Sequence, residues 1–170
     1  MKSHKITKIR INTNDGTDDF AKPFTITVVD NVGPTVTSIS STTLNGTYKS
    51  GDNIVVTVSF SENITVTGTP QITLETGATD RTINYNGTGS GTNTLQFNYT
   101  IQSGDITADL DYVATNSLTA GSSIQDAAGN NANLTLPTPG AANSLSANKA
   151  IVVDGIVPTV TSVNVPANAT

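Results

Sequence analysis

Residues 53–60 read NIVVTVSF, and every second position, starting at Ile54, carries a large apolar side chain. A period of two is typical of a β-strand that buries one face, because successive side chains of a strand point to opposite sides. Residues 93–101, NTLQFNYTI, repeat the pattern starting at Leu95. These two stretches favour an all-β fold.

Shorter strand-like stretches flank these two, and turn residues separate them. No stretch has the 3.6-residue apolar spacing of a helix. Many short strands with frequent turns predict an Ig-like β-sandwich with Greek-key topology and about seven to nine strands. The further predicted strands are residues 34–40, 64–67, 70–76, 80–86, one or two within 111–124, 131–136 and 148–153, with a loop at 137–147.

One segment occurs twice. Residues 28–38 read VVDNVGPTVTS, and residues 152–162 read VVDGIVPTVTS; eight of eleven positions are identical, at an offset of 124 (152 − 28). We call them the first joint and the second joint. Each ends one strand and starts another after its proline, a residue that suits the first position of a strand because it cannot donate a ladder hydrogen bond.

The two joints predict three parts of the chain. Residues 1–33 form the tail of a preceding domain and a linker, residues 34–154 form one complete module, and residues 155–170 form a linker and the first strand of the next repeat. The alternative is a turn duplicated within a single domain. Residues 1–30 contain the strand-like stretches ITKIRI and PFTITVVD around an Asn14-Asp15-Gly16 turn, which predicts an extra N-terminal β-hairpin or strand pair.

Composition argues against several functions. The net charge is −5 with only eight Lys and Arg residues, which disfavours a nucleic-acid partner. No cysteine is present for disulfides or thiolate metal sites, and no apolar run of the length needed to span a membrane occurs. His4, the single histidine, lies outside residues 34–154, so a Ser-His-Asp triad or a histidine zinc site there is excluded. We therefore expect no enzymatic activity.

The acidic residues gather at the two predicted ends of the module. In an Ig-like sandwich the first strand starts at one end, and the loops at 61–63 and 126–130 return to that end. Carboxylate and amide oxygens are ligands that Ca²⁺ prefers, so we predict a calcium site there. Its candidate ligands are Asp30, Asn31, Glu62, Asp126 and Asn130. The opposite end offers Asp52, Asp105, Asp109 and Asp154. The alternative is that these residues are turn formers or solvated loop residues that bond their own backbone.

Three segments carry a resemblance to a known family: SFSENITVTGTPQITLETG, TNTLQFNYTIQSGD and IQDAAGNNANLTL. They resemble the Ig-like tandem repeats of large bacterial adhesins and surface proteins, over roughly residues 34–160. Residues 15–34 are similar to the end of a cadherin-like repeat, where an FTITV-like strand leads into a calcium-binding linker. The linker here keeps one Asp and one Asn, where cadherin linkers are richer in acidic residues.

The resemblance implies an extracellular protein on a bacterial cell surface, with the module as a spacer whose neighbours are further repeats of the same chain. Calcium at the joints would then stiffen the array. Two alternatives remain open: a module that binds a host glycan or protein, and an accessory domain of an extracellular enzyme or S-layer protein. The lack of tryptophan, a residue suited to stacking on sugars, argues against a strong glycan platform.

Overall fold

The described residues form short β-strands and one turn of helix. The computed structural model describes residues 10–14, 19–23 and 29–164, with side chains from residue 29 onward. In chain order the elements are β1 (Arg10–Asn14), β2 (Asp19–Pro23), β3 (Val36–Ser41), β4 (Gly46–Lys49), β5 (Asn53–Phe60), β6 (Thr65–Thr67), β7 (Gln71–Glu75), β8 (Arg81–Asn84), β9 (Thr94–Thr100), β10 (Ile106–Thr107), β11 (Asp111–Tyr112), β12 (Leu118–Thr119), β13 (Ser123–Gln125), α1 (Leu145–Asn148) and β14 (Ile151–Asp154). The predicted all-β class is confirmed.

Strand β5 is the centre of a three-stranded antiparallel sheet of order β3-β5-β9. Its alternate residues from Ile54 to Phe60 are at most 2% exposed, and the facing residues of β9, from Leu95 to Tyr99, are equally buried. The period of two therefore predicted the buried faces of both strands correctly. Strand β7 pairs antiparallel with β8, β11 and β12 in a second sheet, and β6 pairs with β13.

The last strand, β14, pairs in parallel with β4 and antiparallel with β10. The sequence analysis did not predict β4 or β10. Three of the four residues of β4 are exposed, and β10 has only two residues, so neither leaves an alternating apolar pattern. Both strands pair with β14, which is about a hundred residues beyond β4 in the chain, so this pairing forms only in the folded chain.

One hydrophobic cluster unites the sheets between β3 and β14. It is built from side chains such as Ile39 of β3, Ile72 of β7, Ile124 of β13 and Val153 of β14, none more than 2% exposed. Burial of this apolar surface is the main favourable contribution to folding. No helix in the described part of the chain is long and apolar enough to cross a membrane.

Two local predictions differ from the structure. Residues 131–136 form no continuous strand, because their backbone N–H groups bond to different segments: Ala132 to Ile124, and Asn133 to Pro34. Within the predicted loop at 137–147 the chain makes the single turn α1, whose N-cap Ser144 accepts a hydrogen bond from the Ala147 N–H group. One turn is too short to produce a helical apolar stripe.

The predicted N-terminal strand pair is present as β1 and β2, which pair antiparallel from Arg10 with Pro23 to Asn14 with Asp19. The second strand lies earlier than the predicted stretch at 23–30. Most of that stretch, residues 24–28, and the predicted turn residues Asp15 and Gly16 lie outside the described residues.

Candidate metal centre

Three carboxylates meet where the first joint enters the module. Asp30 of the joint, Glu62 after β5 and Asp126 after β13 each offer an oxygen, and these oxygens lie within 4.8 Å of one another. Ligand oxygens on opposite sides of a Ca²⁺ ion are about 5 Å apart, since each lies about 2.5 Å from the ion. The spacing is therefore small enough for one ion to contact all three side chains.

The pairing of β3 with β5 brings the joint and Glu62 together. Val36 of β3 lies opposite Phe60, the last residue of β5. Just beyond this pair, the Ser61 N–H group donates to the Thr35 carbonyl at 2.9 Å, and the Thr35 N–H group donates to Ser61 Oγ at 3.0 Å. The residue after Ser61 is consequently held beside the incoming chain.

Asp126 is buried and fixed by its own turn. Its Oδ1 accepts from the N–H groups of Ala128 at 2.9 Å and Asn130 at 2.8 Å, and its Oδ2 accepts from Asn130 Nδ2 at 2.8 Å. The Asn130 side chain, together with the surrounding backbone N–H groups, lowers the pKa of Asp126. The alternative prediction, that this turn bonds its own backbone, therefore holds at the same time as its place in the acidic cluster.

Two further predicted ligands, Asn130 and Asn31, adjoin the three carboxylates. Asn130 Nδ2 also donates to the backbone carbonyl of Asp30 at 3.2 Å. Asn130 Nδ2 thus donates both to Asp126 and to the joint, and it ties the 126–130 turn to the incoming chain. Asn31 is exposed to solvent beside Asp30.

A cleft of about 1010 Å³ opens beside the carboxylates. Besides the three acids, its lining includes Ser61, Asn63 and Thr65, whose side chains are oxygen-bearing. The sequence analysis did not single out Ser61 or Thr65 as site residues. Their positions follow from the register of β5 and from the turn after it, and no sequence pattern marks them.

The four acids predicted for the opposite end do not come together as a comparable group. In the part of the chain that the structure describes, Asp30, Glu62 and Asp126 are the only group of three or more acidic or histidine side chains spaced closely enough to share an ion. The other four each have a local partner: Asp52 accepts from the N–H and Nζ groups of Lys49, Asp109 from the Ile151 N–H group, Asp154 from the Ile156 N–H group, and Asp105 from Arg81, Tyr99 and Gln102.

Asp105 is the most strongly engaged of these four. It is 1% exposed, and its Oδ1 accepts from Arg81 Nε at 2.8 Å while its Oδ2 accepts from Tyr99 Oη at 2.7 Å and the Gln102 N–H group at 2.9 Å. Burial alone raises the pKa of this carboxyl, but the hydrogen bonds outweigh burial and the net pKa is lowered. Arg81 Nη2 also lies 2.7 Å from Oδ1, so four donors surround the two oxygens and Asp105 is a structural ion-pair partner.

Compared with models of known protein families, with curated proteins and with solved structures, the chain matches none of them.

Proposed function

We propose that residues 34–154 are a non-catalytic spacer module, an Ig-like β-sandwich in a repetitive adhesin of the bacterial cell surface, stiffened by calcium where one module meets the next. Its partners are the neighbouring repeats of the same chain, and any host glycan or protein is bound through other parts of the parent protein. The central sheet β3-β5-β9 and the sheet around β7, which share one core, support the sandwich.

One observation carries this proposal: the first joint packs its residues after the proline on the core, and the second joint packs its residues before the proline on the same core. Among the described residues of the first joint, the apolar side chain after the proline is the one packed on the core: Val29 is 74% exposed, and Val36 packs against the core. From the second joint only the strand before the proline is packed: Val153 is 1% exposed, and Val160 is 83% exposed. The unpacked halves are what adjacent modules would cover in a tandem array.

The acidic cluster supports calcium as the stiffening element. The three carboxylates come from the joint, from the loop after β5 and from the turn after β13, so one ion would tie the incoming chain to two loops of the module. A carboxylate has about four lone-pair positions, and the three hydrogen bonds to Asp126 leave room for a metal bond on Oδ2. An irregular, all-oxygen site suits Ca²⁺ better than Mg²⁺, which needs near-ideal octahedral geometry, or Zn²⁺, which is usually held by sulfur and nitrogen ligands.

The test is thermal melting of the full chain in EDTA and in millimolar CaCl₂. Calcium that binds only the folded chain at about 100 times its Kd adds about 2.7 kcal/mol, which is a rise in Tm of about 5 °C or more. The Glu62→Gln variant should lose this rise and melt no lower than the wild type in EDTA, because the change removes one of three neighbouring negative charges. MgCl₂ at the same concentration should give a smaller rise.

Asp80→Asn is the matched control, since Asp80 is an exposed acid outside the cluster. This variant should respond to calcium as the wild type does. An equal melting temperature of the wild type in EDTA and calcium, or an equal calcium response of the wild type and the Glu62→Gln variant, would contradict the calcium part of the proposal.

A further inference from the structure

The two joints differ at three consecutive positions, just before the proline. The first joint reads Asn31-Val32-Gly33 and the second reads Gly155-Ile156-Val157. Both start from the same local turn: Asp30 Oδ1 accepts from the Val32 N–H group at 3.1 Å, and Asp154 Oδ1 accepts from the Ile156 N–H group at 3.2 Å. The two joints therefore share the same turn at the aspartate, and they differ in the side chains of the three residues that follow it.

Gly33 touches the backbone of the module that follows it. A Cβ atom on Gly33 would lie 2.1 Å from the carbonyl oxygen of Asn131 and 3.0 Å from its carbonyl carbon. Real side chains do not approach backbone this closely. The neighbouring contacts fix the spacing, because the Asn133 N–H group donates to the Pro34 carbonyl at 2.7 Å and Thr35 forms a β-bridge with Asn133. The first joint can lie here only because residue 33 has no side chain.

Val157 occupies the corresponding position of the second joint. It is 63% exposed and lies where the chain leaves the module. If the second joint lay on a module identical to this one, the valine Cβ would stand against the Asn131 carbonyl. The second joint therefore does not fit the entry site that the first joint occupies.

The other glycine is matched to the module that precedes the joint. A Cβ on Gly155 would lie 2.4 Å from the Gln102 carbonyl oxygen, and the Gly155 N–H group donates to the Asp105 carbonyl at 2.7 Å. The first joint has Asn31 at this position. Each joint thus has its glycine where it touches this module. In the first joint this is Gly33, three residues after Asp30, and in the second joint it is Gly155, directly after Asp154.

We propose that these glycines determine which modules a joint can connect. Gly33 fits the first joint to the loop at residues 131–133 of this module. Val157 fits the second joint to a following module in which the loop equivalent to residues 131–133 lies farther from the joint. The following module therefore differs from this one at that loop. The proposal rests on the tandem-module part of the proposed function and does not depend on calcium. Mismatched joints would also disfavour exchange of first strands between modules, a common failure of repeat proteins.

The test converts the first joint into the second within the full chain. The triple variant Asn31→Gly, Val32→Ile, Gly33→Val carries the whole second sequence, and the double variant Asn31→Gly, Val32→Ile is its matched control. In EDTA we expect the double variant to melt like the wild type and the triple variant to melt at least about 5 °C lower. Amide exchange at Asn133, whose N–H group bonds to Pro34, should be at least about tenfold faster in the triple variant.

A second readout separates local loss from general instability. The Leu110 N–H group, which bonds to Ile151 and not to the joint, should exchange faster only by the factor that the fall in global stability predicts, and by less than the Asn133 N–H group. If the triple variant does not fold, Gly33→Ala, which adds one methyl group at the same point, should still lower the melting temperature. The proposal is overturned if the triple and double variants melt and exchange alike. Because calcium is absent throughout, this result is independent of the calcium experiment.

Discussion

Buried aspartates organise loops that contain few apolar side chains. Asp105 and Asp126 are the acceptors of three hydrogen bonds or more each, and Asp111, 8% exposed, accepts from the Gly140 N–H group at 2.9 Å and from Ser146 Oγ at 2.6 Å. Hydrogen bonds to a charged acceptor are stronger than those to a neutral one. Single carboxylates consequently hold loops in place where a hydrophobic core does not reach.

Replacing Asp105 with Asn should lower the free energy of unfolding by about 2–3 kcal/mol at neutral pH. The change removes the charge that faces Arg81 in a buried site and weakens the bonds from Tyr99 and Gln102. Urea denaturation monitored by circular dichroism measures the difference. Asp80→Asn, at an exposed position, should change the stability by less than about 0.5 kcal/mol.

Stability should also fall in acid, because the pKa values of Asp105 and Asp126 are lower in the folded chain than in an unfolded one. Groups of this kind contribute their full stability above the ordinary aspartate pKa of about 3.9 and lose it as pH falls toward the folded value. Melting temperatures between pH 6 and pH 2 should therefore decline below about pH 5. The Asp105→Asn variant should decline less steeply, and a parallel decline would contradict the role of Asp105.

At the scale of elements, the long segment between β13 and β14 shows what a short helix can do. Helix α1 buries Leu145, and its last residue, Asn148, donates from Nδ2 to the Ile39 carbonyl of β3 at 2.7 Å. The helix is also tied to β11 through Ser146 and Asp111. These contacts explain how a segment of Pro, Gly and Ala residues covers the edge of β3.

Replacing Ser146 with Ala should lower the free energy of unfolding by about 1–2 kcal/mol, because the buried Asp111 carboxylate loses a charge-assisted hydrogen bond. Ser103→Ala is the control, since Ser103 is exposed and makes no described side-chain hydrogen bond. Hydrogen exchange at the Gly140 amide, which bonds to the same carboxylate, should become faster in the Ser146 variant alone. Equal stability of the two serine variants would argue against this anchor.

At the scale of the whole molecule, the two joints provide the same residue in two environments. Val29 and Val153 occupy equivalent positions in the repeat, and they are 74% and 1% exposed. Val153→Ala should lower the free energy of unfolding by about 2 kcal/mol through lost apolar burial, whereas Val29→Ala should change it by less than about 0.5 kcal/mol. A similar loss for both variants would place the module boundary elsewhere and would contradict the division at residues 34–154.

The sequence by itself determined the all-β class, the buried faces of β5 and β9, and the repeated joint. Each of these depends on local order along the chain: the alternation of side chains in one strand, or identity between two segments. The closeness of Asp30, Glu62 and Asp126 was also expected, because the sequence predicted that the first strand and the loops at 61–63 and 126–130 lie at one end of the module.

Only the tertiary structure decided the parts that depend on close contacts between distant segments. It placed Asp105 in a buried ion pair and Asn130 Nδ2 on the Asp30 carbonyl. It also paired β14 with β4, a strand without an alternating apolar pattern. It also showed that Gly33 lies against the Asn131 backbone whereas Val157 is exposed, a difference that no sequence pattern predicts. The physical reason is that hydrogen bonding and steric exclusion act over a few ångströms, whereas the residues that come this close lie up to about a hundred positions apart in the chain.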